Sequence, residues 1–254
     1  MRIDQPDGDN DGCADTAGSP DTANAPGTSV SRDVPTPSAP DTERPVRIAR
    51  VTEHRAIVDA VLRASAIDQA YEKVRDIERG TVTPAMKHIE AEDPERHLTG
   101  LEFRLKERDR LAEKAANHLK SNPELSYDKA VSKVKDAIRY TFVYSDDHYT
   151  EGAQADTERL ATRFELIDLR NSWPAAEYKG INTRWRVPES RQIFEVQFHT
   201  YASFEAKQFT HGAYEKIRNP VTLRDERNKL QEFQRQVSTE IPVPRDVSDI
   251  REYP

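Results

Sequence analysis

Apolar and polar residues alternate most strictly between Phe194 and His199. Successive strand residues point to opposite faces. Phe194, Val196 and Phe198 therefore take one side, and Glu195, Gln197 and His199 the other. The stretch Tyr178–Thr200, YKGINTRWRVPESRQIFEVQFHT, predicts two short strands joined by a turn. Ala137–Tyr144 predicts a third strand by its β-branched and aromatic content, Glu165–Leu169 a fourth, and Leu101–Leu105 a short extended segment.

Elsewhere the apolar period is helical. Ile57, Val61, Leu62, Ala66, Tyr71, Val74 and Ile77 predict a helix over 53–79, ended by Gly80. Pro84 suits the first turn of a second helix reaching Ala91. Further helices are predicted over Leu111–Leu119, from a cap at Ser126 to Lys135, and over Glu151–Phe164, Ala202–Arg218 and Val221–Val237. Residues 171–179 read as a loop, and Pro242–Pro254 as an extended end. The order implies an α+β fold with one mixed sheet of four to five strands flanked by helices.

Composition changes this picture at one end. Residues 1–45 are rich in Asp, Pro, Gly, Ser, Thr and Ala and nearly free of large apolar side chains. Such a segment cannot bury enough surface to offset its ordering entropy, so a disordered tail is expected there. Its nine acids and three bases supply −6 of the chain's formal charge of −7. The rest is nearly neutral, so the acidic balance says little against a nucleotide partner. Residues 96–140 hold eleven Lys/Arg against seven Asp/Glu.

The single cysteine, Cys13, excludes a disulfide framework and a cysteine-based zinc site. The seven histidines show no metal-ligand spacing, and no apolar run approaches a membrane span. The first ten residues lack an apolar signal core, so the cytoplasm is the expected location. Export without a cleavable signal stays open.

The row Glu195, Gln197, His199 carries the first chemical hint. A carboxylate, an amide and an imidazole on one sheet face are costly to bury unless something polar covers them. A nucleotide or a metal ion would do so. The plain alternative is an edge hairpin with a solvated outer face.

Upstream and downstream segments add to that hint. GLEFRLKERDRLAEK at 100–114, DAIRYTFVY at 136–144 and FEAKQFTHGAYEKIR at 204–218 stand in order around the strand pair. In order and spacing the set resembles the synthetase domain of the RelA/SpoT-like family over roughly residues 97–218. The resemblance implies a nucleotidyltransferase-like sheet. It assigns residues 46–240 to a synthetase domain with N-terminal helices, between the tail and an extended end at 241–254. The implied activity is transfer of a diphosphate from ATP to the 3′-hydroxyl of an acceptor nucleotide, with Mg²⁺.

Carried over residue by residue, Arg104 and Lys106 match the family's Arg-x-Lys loop, and Lys114 its following helix lysine. Two residues apart on an extended loop, Arg104 and Lys106 would point to one side. Asp136 and Glu195 match the two catalytic carboxylates that share the metal. Gly180, Gln197, His199, His211 and Tyr214 match acceptor-binding positions, and Lys216 completes the Tyr-x-Lys helix.

The chain also departs from the pattern. Arg110 stands where a Ser is frequent. Thr141 stands where an adenine-contacting Arg is usual; Arg139, two residues earlier, is either the substitute ATP contact or a solvated strand residue. Ile181 replaces the tyrosine that stacks on guanine, leaving Tyr178 or Trp185 as candidate platforms. Guanine or adenine nucleotides and the 3′ end of tRNA are therefore all candidate acceptors. No His-Asp doublet of a hydrolase half is present. A lone synthetase of this kind implies a stress or toxin role and a separate antitoxin or hydrolase. A silent nucleotide- or protein-binding module of the same fold is the alternative.

Overall fold

The computed structural model describes residues 43–253, with side chains from Thr52 onward. The expected acidic tail lies outside the described residues, except for its last three positions, where helix α1 (Glu43–Ile77) begins. Five strands follow: β1 (Arg96–Thr99), β2 (Arg139–Tyr144), β3 (Glu165–Asn171), β4 (Ile181–Arg186) and β5 (Ile193–Thr200). They form one open sheet in the order β1-β2-β5-β4-β3. Only the β2/β5 pair is parallel. The fold is the expected α+β arrangement with a mixed sheet.

One sheet face is the core. Tyr140, Phe142 and Tyr144 of β2, and Phe194, Val196 and Phe198 of β5, are all buried there. Phe142 and Phe198 stack with ring centroids 6.1 Å apart. The π-helical turn Glu78–Val82, helix α2 (Thr83–Ala91) and helix α5 (Tyr149–Ala161) close this face. Val82, Met86 and Ile89 pack into the core, as does Leu160. Tyr149 donates its hydroxyl to the Phe198 carbonyl.

The opposite face is polar. Helix α6 (Tyr201–Arg218) turns back over its C-terminal half. Thr200 caps that helix: its side chain accepts from the Ser203 amide, and the Ser203 hydroxyl accepts from the Thr200 amide. Helix α7 (Arg224–Thr239) packs on α6, bringing Phe209 and Phe233 within 5.5 Å. Helices α3 (Arg108–Ser121) and α4 (Tyr127–Ser132) lie between β1 and β2 in the chain, and Ser126 caps α4 as expected.

Four sequence expectations are corrected. Gly80 does not end a helix: the chain widens into a π turn there and continues as α2. The apolar stripe of α1 is buried only from Ala70 onward, while Ile57, Val61 and Leu62 are exposed. The segment expected to be extended at Leu101–Leu105 instead opens with a 3₁₀ turn, Leu101–Phe103, because Gly100 adopts a left-handed conformation; the strand lies before it, at Arg96–Thr99. Arg96 sits inside β1, buried against Asp156. The C-terminal end is not simply extended: it holds a 3₁₀ turn, Val247–Asp249, and pairs Tyr253 with Leu169.

Candidate active site

The polar sheet face gathers charge in register. Arg139 of β2 lies beside Glu195 of β5 across the parallel pair. Arg184 of β4 flanks Glu195 on its other side, and Asp168 of β3 opposes Arg184. Four strands thus present a row of alternating sign, Arg139–Glu195–Arg184–Asp168. Arg184 donates to Asp168 at 2.7 Å. No ion pair of Arg139 or Glu195 occurs among the described residues.

Beside this row, residues 104–106 hook onto the start of β2. The Lys106 amide donates to Ala137 and the Arg139 amide to Arg104, at 3.0 and 2.8 Å. The Glu195 amide bonds to Ile138 at 2.9 Å, so β5 joins the same junction. The loop is not extended throughout: Arg104 has helical backbone angles, and its side chain parts from that of Lys106. Arg104 donates through Nε to Glu78 at 2.7 Å and through Nη1 to the Leu101 carbonyl at 2.7 Å.

Lys106 and Lys114 converge instead on Asp136. Lys114 Nζ stands 2.8 and 2.7 Å from its two oxygens, and Lys106 Nζ 3.1 Å from one of them. Burial alone would raise the Asp136 pKa. The hydrogen bond from Lys114 and the charges of both lysines outweigh it and hold the carboxyl below its ordinary 3.8. This is a compact cationic patch with one carboxylate at its centre.

Glu195 is oriented from within its own strand. Gln197 donates its amide to Glu195 at 3.0 Å, and the Gln197 carbonyl accepts from Lys207 of α6 at 2.5 Å. Gln197 is buried, so its amide is engaged on both sides.

His199 is closed off from solvent. Helix α6 covers it completely, and its ring nitrogens lie 2.9 Å from the Tyr178 hydroxyl and 2.9 Å from the Ser203 hydroxyl. Desolvation, with Lys207 nearby, keeps the ring well below its ordinary pKa and therefore neutral. Gly180 makes room for it: a Cβ there would lie 2.8 Å from His199 Cε1.

Of the two candidate stacking platforms, Trp185 is on the core face and fully buried. The hydroxyl of Tyr178 is committed to His199 and Asn182. His211 and Tyr214 are exposed on α6. The Arg218 guanidinium lies over the Tyr214 ring at 5.5 Å.

Three residues of the site escaped the sequence reading. Glu78 is buried in the π turn, 26 positions before Arg104 in the chain. Arg184 was hidden by its ordinary strand alternation. Lys207 had one usable signal: it shares the face of α6 that carries Thr210 and Tyr214 at helical spacing.

The carboxylates suit a hard cation. Mg²⁺ is usually bound by one or two carboxylates, with waters and substrate phosphates completing the shell. Among the described residues no group of three or more His, Cys, Asp or Glu forms a closed metal cage. Of the two expected metal carboxylates, Asp136 is engaged by Lys106 and Lys114, while Glu195 lies between Arg139 and Arg184 without an ion pair among the described residues.

No family model matches the chain, and no curated protein matches it. Solved structures do. The small alarmone synthetase 1 from Bacillus subtilis bound to its product pppGpp is similar at 19% identity and a TM-score of 0.45, over 72% of this chain and 93% of that one. The type VI effector Tas1, solved with its immunity protein, is similar at 16% identity and 0.46, over 69% and 95%. A GTP pyrophosphokinase family protein from Streptococcus pneumoniae is similar at 16% and 0.41, over 74% and 90%. Likeness at these levels leaves the functional argument to the chain's own residues.

Proposed function

We propose that the chain is a Mg²⁺-dependent nucleotide pyrophosphokinase. The reading rests on one observation above all. Glu195, flanked in register by Arg139 and Arg184, borders a junction where Lys106 and Lys114 meet at Asp136. Phosphoryl-type transfer needs cations for the phosphates, carboxylates for the metal and a group to receive the hydroxyl proton. The junction brings each kind together.

In the proposed reaction the acceptor 3′-oxygen attacks the β-phosphorus of ATP. The bond from that phosphorus to the bridging oxygen of the α-phosphate breaks, and AMP leaves. The hydroxyl proton passes to Glu195. Lys106 and Lys114 bind the triphosphate, which draws them from Asp136 and frees its oxygens. Arg139 contacts ATP, and Arg104 supports the phosphate side. Asp136 and Glu195 would hold Mg²⁺, whose charge would offset that of the phosphates.

The acceptor offers a 3′-hydroxyl and a base that stacks on an aromatic ring without strong base selection. Tyr214 is one of the exposed rings of α6 and lies one helical turn from His211. Guanine nucleotides, adenine nucleotides and the 3′ end of tRNA all satisfy this. A toxin or stress role with a neutralising protein partner, in an ATP-containing cytoplasm, accompanies the reading. Among the described residues no helix is long and apolar enough to cross a membrane.

The ion pairing of Asp136 favours one second reading. A site whose metal carboxylate stays locked by two lysines would bind nucleotide without turnover. One experiment separates the two: purified protein with γ-labelled ATP, Mg²⁺ and a panel of GDP, GTP, ADP, ATP and tRNA. Label on an acceptor supports the enzyme. Nucleotide binding with no transfer to any acceptor supports the silent module.

A further inference from the structure

Lys207 is a half-buried lysine of α6 with no carboxylate bonded to it among the described residues. Its ammonium reaches across to the sheet and meets the Gln197 carbonyl oxygen at 2.5 Å. The Phe204 ring lies 5.4 Å away on the same helix and lines its path. Gln197 passes the contact on, donating to Glu195 at 3.0 Å. The Thr141 hydroxyl lies 3.5 Å from the same Gln197 oxygen, so donors approach that atom from β2 as well as from α6.

The order of these bonds is forced by chemistry. An ammonium only donates, and an ionised carboxylate only accepts. Turning the Gln197 amide over would set its NH₂ against the Lys207 ammonium and its carbonyl against the Glu195 carboxylate. Donor would face donor and acceptor would face acceptor. Lys207 thus selects one of the two amide orientations.

We propose that Lys207 is a positioning residue for the transfer reaction: it locks the Gln197 amide so that its NH₂ holds the Glu195 carboxylate in place for the acceptor hydroxyl. This rests on the pyrophosphokinase reading for its consequence, but not for its geometry. The charged groups facing Lys207 are Arg139 from β2 and Glu195 from β5. Burial, with Arg139, brings its pKa down to about 8, while Glu195 opposes the shift. The ammonium form therefore prevails at neutral pH.

The test uses the full chain with Lys207→Met, Lys207→Arg, Gln197→Met and the Lys207→Met/Gln197→Met double variant. Misplacing a reacting group costs roughly 10- to 100-fold in rate. Lys207→Met should lower kcat by that amount and leave KM for ATP within about twofold. Lys207→Arg, which keeps a cationic donor, should recover part of the loss. The double variant should be no slower than Gln197→Met alone, because both break one chain of bonds. Full kcat in Lys207→Met, or losses that simply multiply in the double variant, would overturn the proposal.

A second measurement needs no turnover. Exchange of the Gln197 side-chain amide protons is followed by NMR, with the signals assigned by their loss in Gln197→Met. They should exchange roughly tenfold or more faster in Lys207→Met, since a freed amide is no longer held. Equal exchange rates in the parent and Lys207→Met would overturn the proposal. A parent chain without transfer but with this difference would sink the enzyme reading and leave the lock standing.

Discussion

Glu78 and Arg104 form the contact that ties the helical layer to the loop at residues 104–106, which hooks onto the start of β2. The Glu78 carboxylate is buried and accepts Arg104 Nε at 2.7 Å and the Tyr140 hydroxyl at 3.0 Å. It also accepts from the Thr83 hydroxyl. The π turn supplies the geometry, since widening the helix turns residue 78 toward the sheet.

The first prediction concerns that pair. Glu78→Gln should destabilise the protein by about 1–3 kcal/mol, the cost of spoiling a buried charged hydrogen-bond centre. The lower part of that range applies, because Arg104 is one-third exposed and water takes up some of the loss. Burial would raise the Glu78 pKa, but the bonds from Thr83, Arg104 and Tyr140 pull it below 4.5. The folded value is thus depressed, so the stabilisation is complete above about pH 4.5. It is lost as pH falls through the folded value. Chemical denaturation from pH 7 to pH 3 should show a steeper acid loss in the parent than in Glu78→Gln.

Gly180→Ala should cost about 1–3 kcal/mol, the usual penalty for crowding a packed site. The added Cβ would meet His199 Cε1 at 2.8 Å. That ring cannot swing away while Tyr178 and Ser203 hold both nitrogens. Thermal melting should show the loss. A melting temperature equal to that of the parent would mean the ring is free to move.

Asp136→Asn should separate phosphate binding from turnover. The two lysines lose their carboxylate and become available to anions. Binding of inorganic pyrophosphate without Mg²⁺, followed by calorimetry, should be at least as tight as in the parent. Transfer should fall by roughly 10²-fold or more, as when an electrostatic group of an active site is removed. Weaker pyrophosphate binding in a folded variant would contradict the lysine assignment.

The sheet was legible because its strands carry their own pattern. Phe194, Val196 and Phe198 face the core as the two-residue period requires. The parallel β2/β5 pairing was not written in either strand, yet it sets Arg139 beside Glu195. His199 continued the polar row by spacing alone. Its burial depends on α6, whose packing no local pattern declares. Arg96 reads as a surface residue until Asp156, 60 positions later, meets it in the interior. The upper stripe of α1 has the right period and no partner among the described residues. Apolar spacing shows which face can be buried, and only the fold shows whether it is.

The central claim is that Glu195 receives the acceptor proton and helps hold the metal. The most direct measurement is diphosphate transfer by Glu195→Gln, made beside its melting temperature and its ATP affinity. The change keeps the side-chain volume and removes the charge. Folding should persist, because Glu195 is only half-buried and lies on the open polar face. ATP binding should weaken less than turnover, since Lys106, Lys114 and Arg139 remain. Transfer should fall by roughly 10²-fold or more, the scale of losing general base assistance. Parental specific transfer in a well-folded Glu195→Gln protein would contradict the account.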